Sequence, residues 1–262
     1  MYINLTMDKL KQGGFDVIGS IVIFNKINEN KSKQIKIAKS LFNLNKNLKT
    51  ILLKTNKISG RYRLPKYKYL AGIKNTETLH KENKCSFKLD VAKCYFTPRL
   101  GSERLRIVKQ VKKNELVLVM FSGVGVYPIL ISKNSKAKEI YAIEINPVAY
   151  KYAQENIMLN KAFNIKLFKG DVKTVLPKIK LKFDRIVMPA PKNAENYLNL
   201  IKTKIKKNTV IHFYDFCNEK DFPQESINKI KKHFKNIKIL NNVKCGNVSP
   251  YNYRICIDFK LK

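Results

Sequence analysis

Apolar residues recur along the chain in two different rhythms. From about Phe15 to Val111, predicted strands and helices mix without regular alternation. FDVIGSIVIF (15–24) predicts a strand. The lysine-rich stretch from Asn30 to Leu44 predicts a helix with Ile35, Ile37, Ala38 and Leu41 facing inward. LKTILLK (48–54) predicts a second strand. Phe87, Leu89 and Val91 alternate with Lys88, Asp90 and Ala92, the pattern of a half-buried strand. Thr97 followed by Pro98 predicts an N-cap and first helical position, opening a helix through Val111.

From Glu115 the rhythm becomes strand, helix, strand, helix. ELVLVMF (115–121), EIYAI (139–143), NIKLF (164–168), FDRIVM (183–188) and TVIHFYDF (209–216) predict strands. Helices are expected between them, at Pro147–Asn160, Lys192–Lys206 and Glu219–Phe234. Continuous apolar strands alternating with amphipathic helices predict an α/β fold with a parallel sheet covered on both faces. The last residues alternate Tyr253, Ile255, Ile257 and Phe259 and suit a terminal antiparallel strand. No internal repeat or low-complexity linker interrupts the chain.

Charge adds a partner class to this picture. Lys and Arg number 53 against 19 Asp and Glu, a formal net charge of +34, yet 44% of the residues are hydrophobic. That much apolar material excludes disorder as the main state. A folded body with a basic surface points to polyanions, nucleic acid ahead of anionic membrane, with Lys-rich codon drift accounting for part of the charge. Only residues 61, 63, 99, 104, 106, 185 and 254 are arginine, and five of these seven lie between Arg61 and Arg106. Where lysine is the default cation, a retained arginine marks a position needing a planar, multi-donor fork, for a phosphate, a base edge or an ordinary salt bridge. Cys85, Cys94, Cys217, Cys245 and Cys256 contain no CxxC pair, and His80, His212 and His233 show no metal spacing, so free thiols and no metal are expected. The N-terminus has no apolar signal core, and the most apolar stretch, Leu116–Ile131, is too short to span a bilayer. A soluble, cytoplasmic protein without a membrane partner is expected.

Candidate chemistry gathers where the strands end, the usual ligand edge of an open α/β sheet. The first strand ends in Phe121-Ser122-Gly123-Val124-Gly125, where glycines permit a tight turn and close approach. Glu144, followed by Asn146-Pro147, can accept both hydroxyls of a ribose. Asp171, after Gly170, can accept an adenine amino hydrogen, and Asp184–Pro191 closes the fourth strand. This set fits a class I S-adenosylmethionine pocket better than a dinucleotide site, which prefers a third glycine where Pro128 stands.

With these strand ends, the run Asp90–Arg104 (DVAKCYFTPRLGSER), GRYRLPKYKYLAG (60–72) and TLHKEN (78–83) resemble the archaeal and eukaryotic tRNA (guanine37-N1)-methyltransferase family. The resemblance covers about Phe15 to Lys262. It implies a class I, Rossmann-like methyltransferase domain (112–262) preceded by a smaller α+β RNA-binding and catalytic domain (15–111). Residues 1–14 are expected to be a short segment without the N-terminal tRNA-gripping domain that many members carry.

The implied reaction moves a methyl group from S-adenosylmethionine to N1 of guanosine 37, in the tRNA anticodon loop. Guanine N1 carries a proton at neutral pH, so a base must remove it, while negative charge building on O6 needs a cation. The resemblance implies Glu103 as proton acceptor, Arg63 as O6 partner, and Arg99 as the group that orients the carboxylate or holds a phosphate. Cofactor contacts fall on Phe121, Ser122, Gly123, Gly125, Glu144, Ile145, Asp171, Val172 and Pro189, and substrate contacts on Arg61, Arg104 and Pro191. The alternative for Glu103 is a plain ion pair with Arg99 or Arg106 at helical spacing. Neighbouring arginines keep such a carboxylate ionised, but also make it a weaker base.

Two positions depart from the family pattern. Pro189 stands where many members have Asn, and Val119 where an acid often precedes the glycine loop. A pocket without that Asn suits a bulkier base, so C7 methylation of the wyosine precursor 4-demethylwyosine is a second expectation. The alternatives are the related aminocarboxypropyl transferase acting at the same tRNA position, and a non-catalytic tRNA-binding relative. Absence of a heptad or exposed apolar stripe makes a monomer the default.

Overall fold

A computed structural model describes residues 14–27, 29–56, 60–190 and 192–262. Contacts cluster into two units, Met1–Pro98 and Arg99–Lys262. The sequence pattern puts a boundary at Val111, one helix later. The difference lies in the helix after Pro98, whose Ile107 and Val108 are buried in the second unit.

In the first unit, four strands lie in the order β1 (Phe15–Ile18), β2 (Ile21–Phe24), β3 (Thr50–Lys54) and β4 (Tyr67–Gly72). The stretch 15–24 is therefore a hairpin and not one strand. Gly19 turns the chain at φ +55, and a side chain there would run into Thr78 and the Leu79 carbonyl. β2 and β3 are parallel and are joined by α1 (Lys31–Leu44), whose N-cap Asn30 accepts from the Lys33 N–H. As its spacing predicts, α1 buries Ala38 and Leu41 against Val22, Phe24, Ile51 and Leu70. A separate hairpin joins β5 (Glu77–Glu82) to β6 (Cys85–Asp90) through Asn83 and Lys84, both at positive φ. Asp90, expected on the solvent face, is buried at the strand end, where its carboxylate accepts the Ala92 N–H.

The second unit is built on seven strands. These are β7 (Leu116–Met120), β8 (Glu139–Glu144), β9 (Ile165–Lys169), β10 (Phe183–Met188), β11 (Ile205–Asn218), β12 (Ile237–Ser249) and β13 (Asn252–Leu261). They lie in the order β9-β8-β7-β10-β11-β13-β12. The five from β9 to β11 are parallel, and β13 and β12 run antiparallel to their neighbours. The order reverses between β7 and β10, which makes their carboxyl ends the switch point where such sheets hold ligands. The unit also contains α2 (Gly101–Gln110), α3 (Val126–Asn134), α4 (Pro147–Leu159) and α5 (Gln224–His233).

Four elements differ from expectation, one being the helix expected over 219–234, which starts only at Gln224 after a 3-10 turn at Glu219–Asp221. β12 carries no strong apolar signal because it is an edge strand, and only Ile237, Ile239, Val243 and Cys245 turn partly inward. The helix expected over 192–206 breaks into short turns at Ala194–Tyr197, Leu198–Ile201 and Lys202–Lys204. Its entry residue, Asn193, is left-handed, and its middle turn is anchored by buried Leu198 and Ile201 with partly buried Leu200. Pro98 opens a 3-10 turn, so α2 itself starts at Gly101. Among the described residues, no helix is long and apolar enough to cross a membrane.

The largest fully buried side chain is Arg185, in the middle of the sheet. Its guanidinium donates to Glu115 Oε2 (2.8 Å) and Oε1 (3.1 Å), to the Gln110 carbonyl (2.6 Å) and to His212 Nε2 (2.7 Å). It thereby ties the end of α2 and the entry of β7 to β10 and β11. Replacing Arg185 by Met should cost about 3–5 kcal/mol, because Glu115 is left buried without its cation. The double variant R185M/E115M should lose less than R185M alone, and urea unfolding of the three proteins measures the difference.

Candidate active site

The chain end of β7 is conformationally unusual. Phe121 (φ 58), Gly123 (φ 58) and Gly125 (φ 88) are all left-handed, and at Phe121, a bulky non-glycine, that backbone is strained. A Cβ on Gly125 would lie 3.0 Å from Ile129 Cδ1 and 3.4 Å from Ala153 Cβ, so glycine lets α3 and α4 close on the loop. Ser122 is buried, and its Oγ has no hydrogen-bond partner among the described residues. An orphaned buried hydroxyl in a ligand-type turn fits a bound polar group.

Glu144, at the end of β8, is buried and stitches this turn together. Its Oε2 accepts the Gly123 N–H (2.6 Å) and its Oε1 the Asn146 N–H (2.7 Å). Burial raises its pKa against the pull of those backbone donors. Each oxygen keeps lone-pair capacity for a further donor such as a ribose hydroxyl. Asn146 caps α4 by accepting from Val148 and Ala149, and half-buried Ile145 lies between the two. Gly170 N–H bonds to the Glu144 carbonyl (2.8 Å), which draws the end of β9 alongside. Asp171 there accepts the Lys173 N–H as the N-cap of the short turn Val172–Val175, and Val172 is buried in the core. Pro189 follows β10 and is half-buried, while Pro191 lies outside the described residues. The four strand ends thus lie on one edge of the sheet, and their donor and acceptor set suits the ribose and adenine of S-adenosylmethionine.

Glu103, in the first turn of α2, is the buried acid beside this loop. Arg106 grips it with both faces of its fork, Nε to Oε2 at 2.7 Å and Nη2 to Oε1 at 2.8 Å. Tyr214 donates its hydroxyl to Oε1 at 2.6 Å, and Tyr127, the second residue of α3, meets Tyr214 oxygen to oxygen at 2.8 Å. Burial raises both phenols far above their ordinary range, so they serve as hydrogen-bonding groups. Two tyrosines therefore bridge the glycine loop to Glu103. Of the two ion-pair partners the sequence allows, Arg106 is the one seen on Glu103.

Arg106 does not belong to Glu103 alone. It also donates to both oxygens of Asp258. Asp258 Oδ1 lies 2.6 Å from His212 Nδ1, and His212 Nε2 faces Arg185. A guanidinium only donates, so Nε2 accepts and Nδ1 carries the proton toward Asp258. Burial lowers the His212 pKa and keeps the ring neutral. Despite burial, His212 and Arg106 hold the Asp258 carboxyl well below the usual carboxylate range. His212, Cys256 and Asp258 converge within 4.8 Å as metal ligands would, but two guanidiniums already face this cluster, which disfavours a cation. Neither Asp258 nor His212 was singled out by motif. The available signal was a polar residue centred in an apolar strand, in ICIDF and VIHFY, together with retained Arg106 and Arg185.

The remaining candidates are placed as follows. Arg104 is buried, and its charge acts on Tyr127. Arg99 is exposed in the 3-10 turn before α2. In the first unit, Arg61 is exposed, and Arg63 (φ 55) is held with its guanidinium 5.8 Å above the centre of the Tyr95 ring.

Residues 78–241 match the TRM5/TYW2 methyltransferase domain, and residues 3–76 match the TYW2 N-terminal domain. The chain is 39% identical over 251 residues to the tRNA (guanine(37)-N(1))-methyltransferase Trm5b of Pyrococcus abyssi, covering 94% of this chain and 74% of the relative. It is 32% identical to the tRNA 4-demethylwyosine(37)-methyltransferase Taw21 of Saccharolobus solfataricus, covering 94% and 92%. Among solved structures, aTrm5 in complex with tRNALeu superposes with a TM-score of 0.86 at 30% identity, covering 100% of this chain and 77% of that one. The TYW2 of M. jannaschii in complex with AdoMet gives 0.71 at 29%, covering 95% and 100%. A seven-stranded methyltransferase sheet, a glycine turn closed by Glu144, and these matches over most of the chain agree: the protein belongs to the TRM5/TYW2 methyltransferase family.

Proposed function

We propose that this protein transfers a methyl group from S-adenosylmethionine to N1 of guanosine 37 in tRNA. The observation that carries the reading is the buried carboxylate of Glu103, joined to the glycine loop through Tyr214 and Tyr127. An acid fixed beside a cofactor turn is what removal of the guanine N1 proton requires. The cofactor supplies an electrophilic methyl on a sulfonium. Ser122 and Glu144 hold its polar groups, with Asp171 toward the adenine and Phe121, Gly123, Gly125, Ile145, Val172 and Pro189 shaping the walls. Glu103 takes the N1 proton, Arg63 offers a cation to O6, and Arg99 and Arg61 hold phosphates of the anticodon loop. A stacked base must be extruded before its N1 is exposed, and scattered lysines supply the non-specific grip that precedes this step. In this reading the enzyme works in the cytoplasm as a monomer.

A second substrate is favoured by one observation. Pro189, which has neither a backbone N–H nor a polar side chain, stands where the family resemblance leads one to expect Asn. A pocket relieved of that hydrogen bond admits a tricyclic base, so methylation of 4-demethylwyosine at C7 joins the proposal. Family members that transfer an aminocarboxypropyl group use the same cofactor, and the geometry at the sulfonium decides which carbon is moved.

Nucleoside mass spectrometry of tRNA incubated with enzyme and cofactor should show one added methyl on guanosine 37, and one on the precursor when that is supplied. An aminocarboxypropyl mass would select the other transferase chemistry. Glu103→Gln should slow single-turnover methyl transfer by about 100-fold or more, while tRNA affinity stays within about threefold. Equal loss of both would remove the general-base role. Ser122→Ala should weaken cofactor binding by about fivefold, the worth of one hydrogen bond. It should leave thermal stability unchanged or raised, because the hydroxyl has no partner among the described residues. Calorimetric titration and thermal unfolding read the two effects.

A further inference from the structure

The buried ionic chain leading away from Glu103 is longer than proton acceptance alone requires. Glu115, Arg185, His212, Asp258, Arg106 and Glu103 follow one another by direct hydrogen bonds through the second unit. Apart from Arg106, whose side chain is 22% exposed, these side chains are 0–11% exposed. Three carboxylates face two guanidiniums across a neutral imidazole. The chain therefore carries one net negative charge until Glu103 takes a proton, and none afterwards.

We infer that Asp258, clamped by His212, is a positioning residue that shares Arg106 with Glu103 and thereby preserves the carboxylate's power to accept a proton. The inference deepens the proposed function and rests on Glu103 being the base. A guanidinium paired with Glu103 alone would neutralise it and oppose protonation. Asp258 draws the same guanidinium from its other side, so its charge is divided between two acids. His212 fixes this division, because its Nδ1–H holds Asp258 Oδ1 while Arg185 locks the ring from behind. Gln110 competes for the other oxygen, donating to Asp258 Oδ2 at 3.1 Å. Other groups face Glu103 as well. Tyr214 comes from β11, with Tyr127 of α3 behind it, Cys245 comes from β12 and Cys256 from β13, and Arg104 shares its helix. Burial raises both tyrosines and both thiols, which leaves Arg106 as the charged group directly bonded to the carboxylate.

The test is the pH dependence of single-turnover methyl transfer, with tRNA affinity measured in parallel, for wild type, E103Q, D258N and Q110M. D258N should leave Arg106 to Glu103 alone. Its plateau rate should fall about tenfold or more, and its acidic limb should move about one unit to lower pH, with tRNA affinity within about threefold. Q110M frees Asp258 Oδ2 for Arg106, so its acidic limb should move by a smaller amount to higher pH. Gln110 is only partly buried, at the end of α2, so this variant tests the inference even if D258N does not fold. An unmoved Q110M profile, or a folded D258N whose profile overlays wild type, overturns the inference. If E103Q keeps the wild-type rate, the reading of Glu103 itself fails. If E103Q loses the rate while D258N and Q110M match wild type, only the role of Asp258 fails.

Discussion

Ionised groups can be buried in a sheet only if each finds a partner, and this constraint organises the second unit. Arg185 has no route to solvent, so its donors are met by Glu115, His212 and the Gln110 carbonyl. Those contacts fix where α2 ends, and so where Glu103, two turns earlier, meets Arg106 and Tyr214. Exposed lysine pairs such as Lys33–Glu29 contribute little by comparison, because solvent screens them. The buried ionic part of the proposed active site is thus built around Arg185 and Arg106.

The two halves of the candidate site are held by different means. The cofactor edge is held by backbone: a left-handed turn from Phe121 to Gly125, with Glu144 accepting N–H groups from both flanking loops. The proton-accepting edge is held by side chains converging from α2, α3, β11 and β13. Backbone donors fix a shape that many ligands share, whereas a network of side chains can set the behaviour of one carboxylate. The division suits a proposed reaction in which the cofactor brings the reactive methyl and the protein manages the proton.

Much of this was legible beforehand. The five parallel strands, the antiparallel β13 and the turn residues Gly123, Gly125 and Glu144 follow from apolar periodicity and from short local motifs, while Glu103 is singled out by the family resemblance. The misread segments share a cause. The hairpin at Gly19, the edge strand β12 and the broken helix after Pro191 depend on what each segment packs against, and their local patterns are weak. Arg106 illustrates the same limit. Its spacing from Glu103 permits an ion pair, but nothing local reveals that Asp258, 152 positions away, holds its other side.

The sequence by itself determined the succession of the five parallel strands, the glycine turn, the acid on α2 and the membership of a methyltransferase family, because these are carried by residues near one another in the chain. Tertiary structure decided that Arg185 and Asp258 lie in one line with Glu103, that His212 is neutral between them, and that Arg104 is buried while Arg99 is exposed. The physical reason is that a buried charge takes its partner from whichever strand the sheet brings alongside. That neighbour is set by strand order, here β10 beside β11 beside β13, and not by distance along the chain.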